Sequence, residues 1–135
     1  MEIQDLIYQL SSRDKNVKHE AWLETEKIIN SGNLQLLLNL LCFTDHGTRY
    51  RAWNLLPKFL DRIKANEVRE RLPCLLEMLK DEDINVRRLT WYNVLPQIFQ
   101  FLDKEELKRI RKYCEEVASD DWKELLDETC REIEL

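Results

Sequence analysis

Glycine and proline are scarce in this chain of 135 residues, which contains two glycines and three prolines. It has neither a glycine-rich phosphate loop nor a nucleophile elbow, and His19 is not part of a His-Glu-x-x-His metal motif. The longest apolar stretch, residues 34–43, is interrupted by Gln35 and Asn39 and is too short to span a bilayer. We therefore predict a protein that is not an enzyme, has no catalytic residues and has no membrane partner.

A basic surplus and a leader segment are also lacking. The formal charge is −5, whereas dedicated nucleic-acid binders usually carry an excess of Lys and Arg. Residues 1–5 are acidic and have neither the basic start nor the apolar core of a signal peptide. We therefore expect a cytoplasmic protein.

The cysteines do not form a recognisable site. Cys42, Cys74, Cys114 and Cys130 lack Cys-x-x-Cys spacing, and neither histidine stands at an offset that would complete a zinc site. Disulfides are rare in cytosolic proteins. We expect buried free thiols that act as small apolar residues, with no metal and no cofactor.

What the chain does contain is a recurring segment, here called the repeat segment. Its copies are Asp14…Val17-Lys18-x-x-Ala21-Trp22, Asp45…Thr48-Arg49-x-x-Ala52-Trp53 and Asp83…Val86-Arg87-x-x-Thr90-Trp91, with a weaker copy at Asp120-Asp121-Trp122-Lys123-x-x-Leu126. The copies are spaced 31, 38 and 36 residues apart. A period in the thirties predicts stacked supersecondary units.

Each repeat segment begins a helix, and another amphipathic helix precedes it. The chain is thus predicted to be one all-α domain of eight helices, paired in units at about residues 1–32, 33–64, 65–101 and 102–135. Ser31-Gly32-Asn33 has the composition of a helix C-cap and turn that closes the first unit. Pro73, early in the third unit's first helix, predicts a bend or a restart there.

Aspartates and prolines mark the second helix of the units. Asp14, Asp45 and Asp83 each stand three residues before the Val or Thr of the repeat segment, where a carboxylate can cap a helix N-terminus. Pro57 and Pro96 fall inside the second helices of the second and third units. Because proline removes a backbone donor, each is expected to kink its helix.

The third unit resembles the HEAT repeat family. The stretch Leu72-Pro73-x-Leu75-Leu76-x-x-Leu79-Lys80-Asp81-x-Asp83-x-x-Val86-Arg87-x-x-Thr90 matches that motif nearly position for position. The second unit departs from it at Thr48, and the fourth at Trp122 and Leu126. The resemblance implies a right-handed α–α superhelix (an armadillo-like solenoid) of about four HEAT-like helix pairs. It also implies that second helices line a concave face, and that the protein is a scaffold or adaptor.

A helical wheel of the second helices identifies their solvent-facing side. In the first two units this side holds His19, Leu23, Glu26 and Asn30, then Tyr50, Asn54, Pro57 and Asp61. In the third unit it holds Arg88, Tyr92, Leu95 and Phe99. The last three would form an exposed apolar patch typical of interfaces; alternatively, Phe99 packs under the next unit.

A basic residue stands four positions before the tryptophan in each full repeat segment. The pairs are Lys18 with Trp22, Arg49 with Trp53 and Arg87 with Trp91. They could be stacking platforms for a peptide or a nucleic-acid base. They could instead join units, with the cation reaching the preceding unit's Asp, and regular recurrence favours this second interpretation.

We predict a non-catalytic interaction module that binds a protein or peptide on its concave face. The candidate contact residues are Tyr50, Trp53, Arg88, Trp91, Tyr92, Leu95 and Phe99. The alternative is nucleic-acid binding, because interleaved Arg and aromatic residues are similar to the DNA-gripping surface of some HEAT-like alkylation-repair glycosylases. These residues are Arg49, Arg51, Arg87 and Arg88 with Tyr50, Trp53, Trp91 and Tyr92. The net charge of −5 over residues 119–135 opposes it and has two interpretations, a solvated capping face or a site for a basic partner. Open solenoid ends would also permit homo-oligomers.

Overall fold

The computed structural model describes residues 2–116, and the side chains of residues 2–113. Every regular element in that range is helical, which confirms the all-α class. The α-helices are α1 (Ile3–Leu10), α2 (Lys15–Asn30), α3 (Leu34–Leu40), α4 (His46–Leu55), α5 (Ala65–Glu70), α6 (Leu72–Met78), α7 (Ile84–Leu89), α8 (Leu95–Ile98) and α9 (Lys104–Glu116). Two 3-10 segments, Leu56–Arg62 and Phe99–Phe101, and one π segment, Thr90–Val94, complete the set.

The second helix of the fourth unit, which was predicted to begin near Asp120 and Trp122, lies outside the described residues, as do the acidic segment 119–135 and Cys130. Among the helices of residues 2–116, none is both long and apolar enough to cross a membrane.

The aspartate caps are confirmed in all three full units. Asp14 and Asp83 begin α2 and α7, and each accepts hydrogen bonds from two backbone amides, the shorter being 2.9 and 2.8 Å. Asp45 begins α4 and accepts from the amide of Thr48 at 2.9 Å. These bonds satisfy donors that the first turn of a helix leaves unpaired. The first unit also closes as predicted, with Gly32 at a φ of 121° that favours glycine.

Each of the three prolines stands where a helix changes type or restarts. In the second unit, α4 gives way at Leu56 to the 3-10 segment, whose second residue is Pro57. In the third unit, Pro96 is the second residue of α8, directly after the π segment. Pro73 likewise is the second residue of α6, which follows α5 after a break at Arg71. Proline has no amide to donate, so it fits best in the first turn of a helix.

Successive helices pack against one another and share a hydrophobic core. In chain order α1 contacts α2, α2 contacts α3 and α3 contacts α4, and α4 then contacts both α6 and the π segment. The second helices of the second and third units are therefore neighbours in space. The largest fully buried side chains of this core are those of Trp53 and Trp91.

A disulfide joins Cys42 and Cys74, so the prediction of free buried thiols is wrong for this pair. Cys42 directly follows the last turn of α3, and Cys74 lies in the first turn of α6. Their separation of 32 residues is close to one repeat period, which brings the first helices of neighbouring units together. The Cα atoms are 5.2 Å apart, within the usual range for a disulfide. The side chain of Cys114 lies outside the described part.

Candidate functional site: a groove between two second helices

The tryptophans of the second and third units are structural. The indole Nε1 of Trp53 donates to the carbonyl of Leu41 at 2.7 Å, and that of Trp91 donates to the carbonyl of Leu79 at 3.1 Å. Both acceptors are C-cap residues of the preceding first helix, α3 or α6. The bond satisfies the one polar atom of a fully buried indole. Neither ring offers a surface to a partner, contrary to the prediction that both would be contact residues.

The basic residues of the first two repeat segments form contacts between units. Lys18 Nζ lies 2.7 Å from Asp45 Oδ2, at the start of α4. Arg49 is buried and donates to Glu77 Oε2 at 2.6 Å and to the carbonyls of Phe43 and Cys74. The joining interpretation is thus confirmed for these two residues, with one correction. Each cation reaches the following unit, because the repeat segment begins a second helix that packs against the next unit.

The third unit contains one extra residue. Four positions separate Trp53 from Pro57, whereas five separate Trp91 from Pro96. Asn93-Val94-Leu95-Pro96 therefore corresponds to Asn54-Leu55-Leu56-Pro57, which leaves Tyr92 as the insertion. The π segment Thr90–Val94 absorbs it, since a π turn takes up one residue more than an α turn.

This insertion corrects the wheel for the third unit. After the inserted residue, the third unit is shifted by one residue in register relative to the second unit. Leu95 therefore corresponds to the buried Leu56 and is itself fully buried. Phe99 corresponds to Leu60, and both are half-buried against the core. The apolar patch predicted from a constant turn per residue is therefore not assembled. The distance from tryptophan to proline in each unit was the sequence signal that could have revealed this.

The remaining candidate contact residues are scattered. Arg88 is exposed, and Tyr50 and Tyr92 are half-buried. The amide nitrogen of Asn54 donates to the Tyr50 hydroxyl at 3.0 Å, and Asn93 donates to Asn54. Burial raises the pKa of the Tyr50 phenol, and the bond from Asn54 only partly offsets this, so the hydroxyl is neutral at physiological pH. A neutral polar row, and not an apolar patch, thus links the second helices of units two and three.

An open groove lies instead between α2 and α4, the second helices of the first two units. Its volume is about 400 Å³. It is lined by His19, Trp22, Leu23, Glu26, Arg51, Asn54, Leu55 and Lys58. The wheel had placed four of these on the solvent-facing side, namely His19, Leu23, Glu26 and Asn54. We call this site the α2–α4 groove.

Lys58 is not among the candidates identified from the sequence, and Arg51 is identified there only as part of the alternative nucleic-acid surface. On the wheel both residues lie outside the arc that holds the solvent-facing positions. The guanidinium carbon of Arg51 is 5.9 Å from the centre of the Trp22 ring, a cation–π distance. Trp22 is 7% exposed, whereas Trp53 and Trp91 are 0% exposed. The predicted contact of cation and indole therefore occurs, but with a cation from the next unit.

The groove has no set of metal ligands. No group of three or more His, Cys, Asp or Glu side chains that could hold a metal ion occurs within the residues that the structure describes. Comparison with known protein families, with curated proteins and with solved structures finds no match to this chain.

Proposed function

We propose that this chain is a non-catalytic interaction module that binds a protein or peptide on the face formed by its second helices. The observation that carries the proposal is the α2–α4 groove. Trp22, Leu23 and Leu55 supply apolar surface there, and charged and amide side chains surround it. Binding sites commonly combine an apolar floor with a few polar groups that fix orientation.

The proposed architecture is a right-handed solenoid of about four HEAT-like helix pairs. It is supported by contacts that recur with the repeat segment. An aspartate caps the second helix in three units, a tryptophan bonds to the end of the first helix in two, and a cation reaches the next unit in two. Recurrent joints of this kind are what stacking of similar units requires.

Nucleic-acid binding is the weaker alternative. It depended on tryptophans that stack on bases and on arginines that face phosphates. Trp53 and Trp91 are fully buried, and Arg49 is engaged within the fold. On the part of the second-helix face that the structure describes, no observation favours a nucleic acid over a peptide.

The predicted cytoplasmic location is also a proposal, and the disulfide makes it testable. Disulfides persist mainly in oxidising compartments, with intracellular proteins of hyperthermophiles as an exception. Rapid alkylation of thiols in intact cells, followed by a mass-shift gel, would report whether Cys42 and Cys74 are paired. Protection of both from alkylation would oppose an ordinary reducing cytoplasm.

Peptide selection tests the function. A phage-displayed library of random 12-residue peptides is selected on the wild-type chain, and affinities of the selected peptides are measured by fluorescence polarisation. Leu23→Glu introduces a charge into the groove at a residue that is 40% exposed. Ile84→Glu is the matched control, since Ile84 is 47% exposed and does not line the groove.

We expect Leu23→Glu to weaken binding at least tenfold, because a buried unpaired charge opposes apolar contact. Ile84→Glu should bind like the wild type. Equal binding by both variants would place the site elsewhere. Failure to select any binding peptide would overturn the proposed function.

A further inference from the structure

Arg51 occupies an unusual position in the α2–α4 groove. Its Nη1 atom is buried, and no hydrogen-bond acceptor for it occurs in the described part of the chain. Arg49, two residues earlier in the same helix, donates to two carbonyls and one carboxylate. Buried polar atoms are nearly always paired, so an unpaired guanidinium nitrogen beside a groove indicates a missing acceptor.

Trp22 lies beside the Arg51 guanidinium in the α2–α4 groove. The guanidinium carbon lies 5.9 Å from the centre of the Trp22 ring. A planar guanidinium that is packed against an aromatic ring is partly preorganised, and its donors match the two oxygens of a carboxylate. Less conformational freedom is then lost when an acceptor binds.

The charges of the groove also favour an anion. Arg51 and Lys58 line it, and Glu26 is the one carboxylate among its lining residues. Glu26 forms no ion pair with Arg51 among the residues described here, so the groove does not neutralise its own arginine. Leu23 and Leu55 lie in the same groove and would contact an apolar neighbour of the bound acid.

We propose that the α2–α4 groove recognises an acidic peptide, with an Asp or Glu side chain of the peptide accepting hydrogen bonds from Arg51 next to Trp22. This inference rests on the proposed peptide-binding function and specifies the chemistry of the partner. An apolar residue adjacent to the acid packs on Leu23 and Leu55. The selectivity for an acid comes from Arg51, because Arg51 is the charged residue of the groove whose buried donor lacks an acceptor among the described residues.

The test uses the peptides selected from the random 12-residue library. Each peptide is synthesised with an amidated C-terminus, so that side chains are the source of any carboxylate, and again with every Glu or Asp replaced by Gln or Asn. Affinities are measured for the wild-type chain, for Arg51→Gln and Arg51→Lys, and for Arg13→Gln. Arg13 is an exposed arginine that does not line the groove.

We expect the selected peptides to be enriched in Asp or Glu next to an apolar residue. Arg51→Gln and the amide peptide should each lose at least tenfold in affinity, and the two changes together should lose no more than either alone. Arg51→Lys should lose less than Arg51→Gln, since it keeps the charge but not the planar fork. Arg13→Gln should not differ from the wild type, and unchanged melting of each variant excludes a loss through unfolding.

The outcomes separate this inference from the proposed function. The acidic specificity alone is overturned if the selected peptides depend on Leu23 but are not enriched in acids. It is also overturned if they bind Arg51→Gln as well as the wild type. Additive losses from the arginine and the acid, which indicate that the two groups do not interact, also overturn it. If the amidated peptides fail to bind and the same peptides synthesised with a free C-terminal carboxylate bind, the proposed side-chain ligand is wrong. A selection that yields no binding peptide refutes both proposals.

Discussion

The second helices of the second and third units share an Arg-x-x-x-Trp segment followed by Asn-x-Leu-Pro, but they follow different paths. In the second unit, α4 runs into a 3-10 segment at Pro57. In the third, one more residue separates tryptophan from proline, and a π segment stands between α7 and α8. Burial nevertheless repeats residue for residue over residues 55–61 and 94–100. A repeat can therefore absorb an inserted residue in one wide turn and restore the register of its core.

The largest expected effect is the difference between two one-residue deletions, one in each of these helices. Deletion of Tyr92 would convert the π turn into an α turn, and Leu95 and Ile98 would stay in the core. We expect this deletion to lower the free energy of unfolding by about 1–2 kcal/mol, mainly through lost packing. Deletion of Asn54 is the matched change in the second unit. It would rotate Leu55, Leu56 and the residues that follow them in the helix by about 100° around the helix axis. Because several buried side chains would then leave the core, we expect the free energy of unfolding to fall by more than about 4 kcal/mol.

Urea unfolding followed by circular dichroism measures both deletions. The Asn54 deletion should fail to show a cooperative transition, whereas the Tyr92 deletion should keep one. Equal losses, or a larger loss on deleting Tyr92, would mean that the π segment does not simply accommodate an insertion.

Replacing the tryptophan of the repeat segment should destabilise the second and third units by similar amounts and the first unit by less. Trp53→Ala and Trp91→Ala should each lower the free energy of unfolding by about 3–5 kcal/mol, because they empty a fully buried site. Trp22→Ala should cost less, since Trp22 borders the α2–α4 groove and no bond from its indole to a C-cap carbonyl is present among the described residues.

Conservative changes separate packing from hydrogen bonding. Trp53→Phe removes the bond to the Leu41 carbonyl while keeping an aromatic ring, and should cost about 1–3 kcal/mol beyond its lost area. Trp22→Phe should lose area and part of the cation–π contact with Arg51, but no hydrogen bond to a C-cap carbonyl. A similar cost at both positions, measured by chemical unfolding, would contradict the distinction between a structural tryptophan and a groove tryptophan.

Local patterns in the sequence predicted the helices and their caps because these depend on near neighbours in the chain. The caps at Asp14 and Asp83, and the outward positions of His19 and Leu23, needed only spacing along one helix. The burial of Leu95 was missed because a wheel assumes a constant turn, whereas a one-residue insertion rotates everything after it. The partners of Arg49 were missed because they depend on how units pack, which spacing within one helix does not define.

Reduction of the Cys42–Cys74 disulfide measures how much the link between the first helices of the same two units stabilises the fold. It closes a loop across a sequence separation of 32 residues, and a chain-entropy treatment assigns such a bond about 3–4 kcal/mol as an upper value. We expect somewhat less, about 2–3 kcal/mol, because Arg49 also contacts this region by donating to the carbonyls of Phe43 and Cys74.

Melting with and without a reducing agent measures this contribution, and Cys42→Ser with Cys74→Ser should reproduce the reduced curve. Neither cysteine lines the α2–α4 groove, so peptide affinity should be the same in both states. A change in affinity on reduction would show that the first and second helices of these units are coupled.

The smallest expected effect concerns the contact between the first two units, where Lys18 pairs with Asp45. Burial opposes the charged form of Asp45, but hydrogen bonds from Lys18 and from Thr48 outweigh it and hold its pKa below the ordinary value of 3.8. A carboxyl group whose pKa is lower in the folded chain stabilises the fold above its unfolded pKa. That contribution is lost as the pH falls through the lower, folded value.

Asp45→Asn tests this, because asparagine still caps a helix but does not titrate. Both side chains of the pair are 26% exposed. Solvent screening therefore limits the contribution of the ion pair to the free energy of unfolding to about 1 kcal/mol or less. The difference in unfolding free energy between wild type and variant should be constant above pH 5 and shrink below about pH 3.8. Lys18→Met should reduce the same pH-dependent difference. If that difference persists undiminished at pH 2, the stabilisation arises from capping geometry alone, and the ion pair does not contribute to the contact between these units.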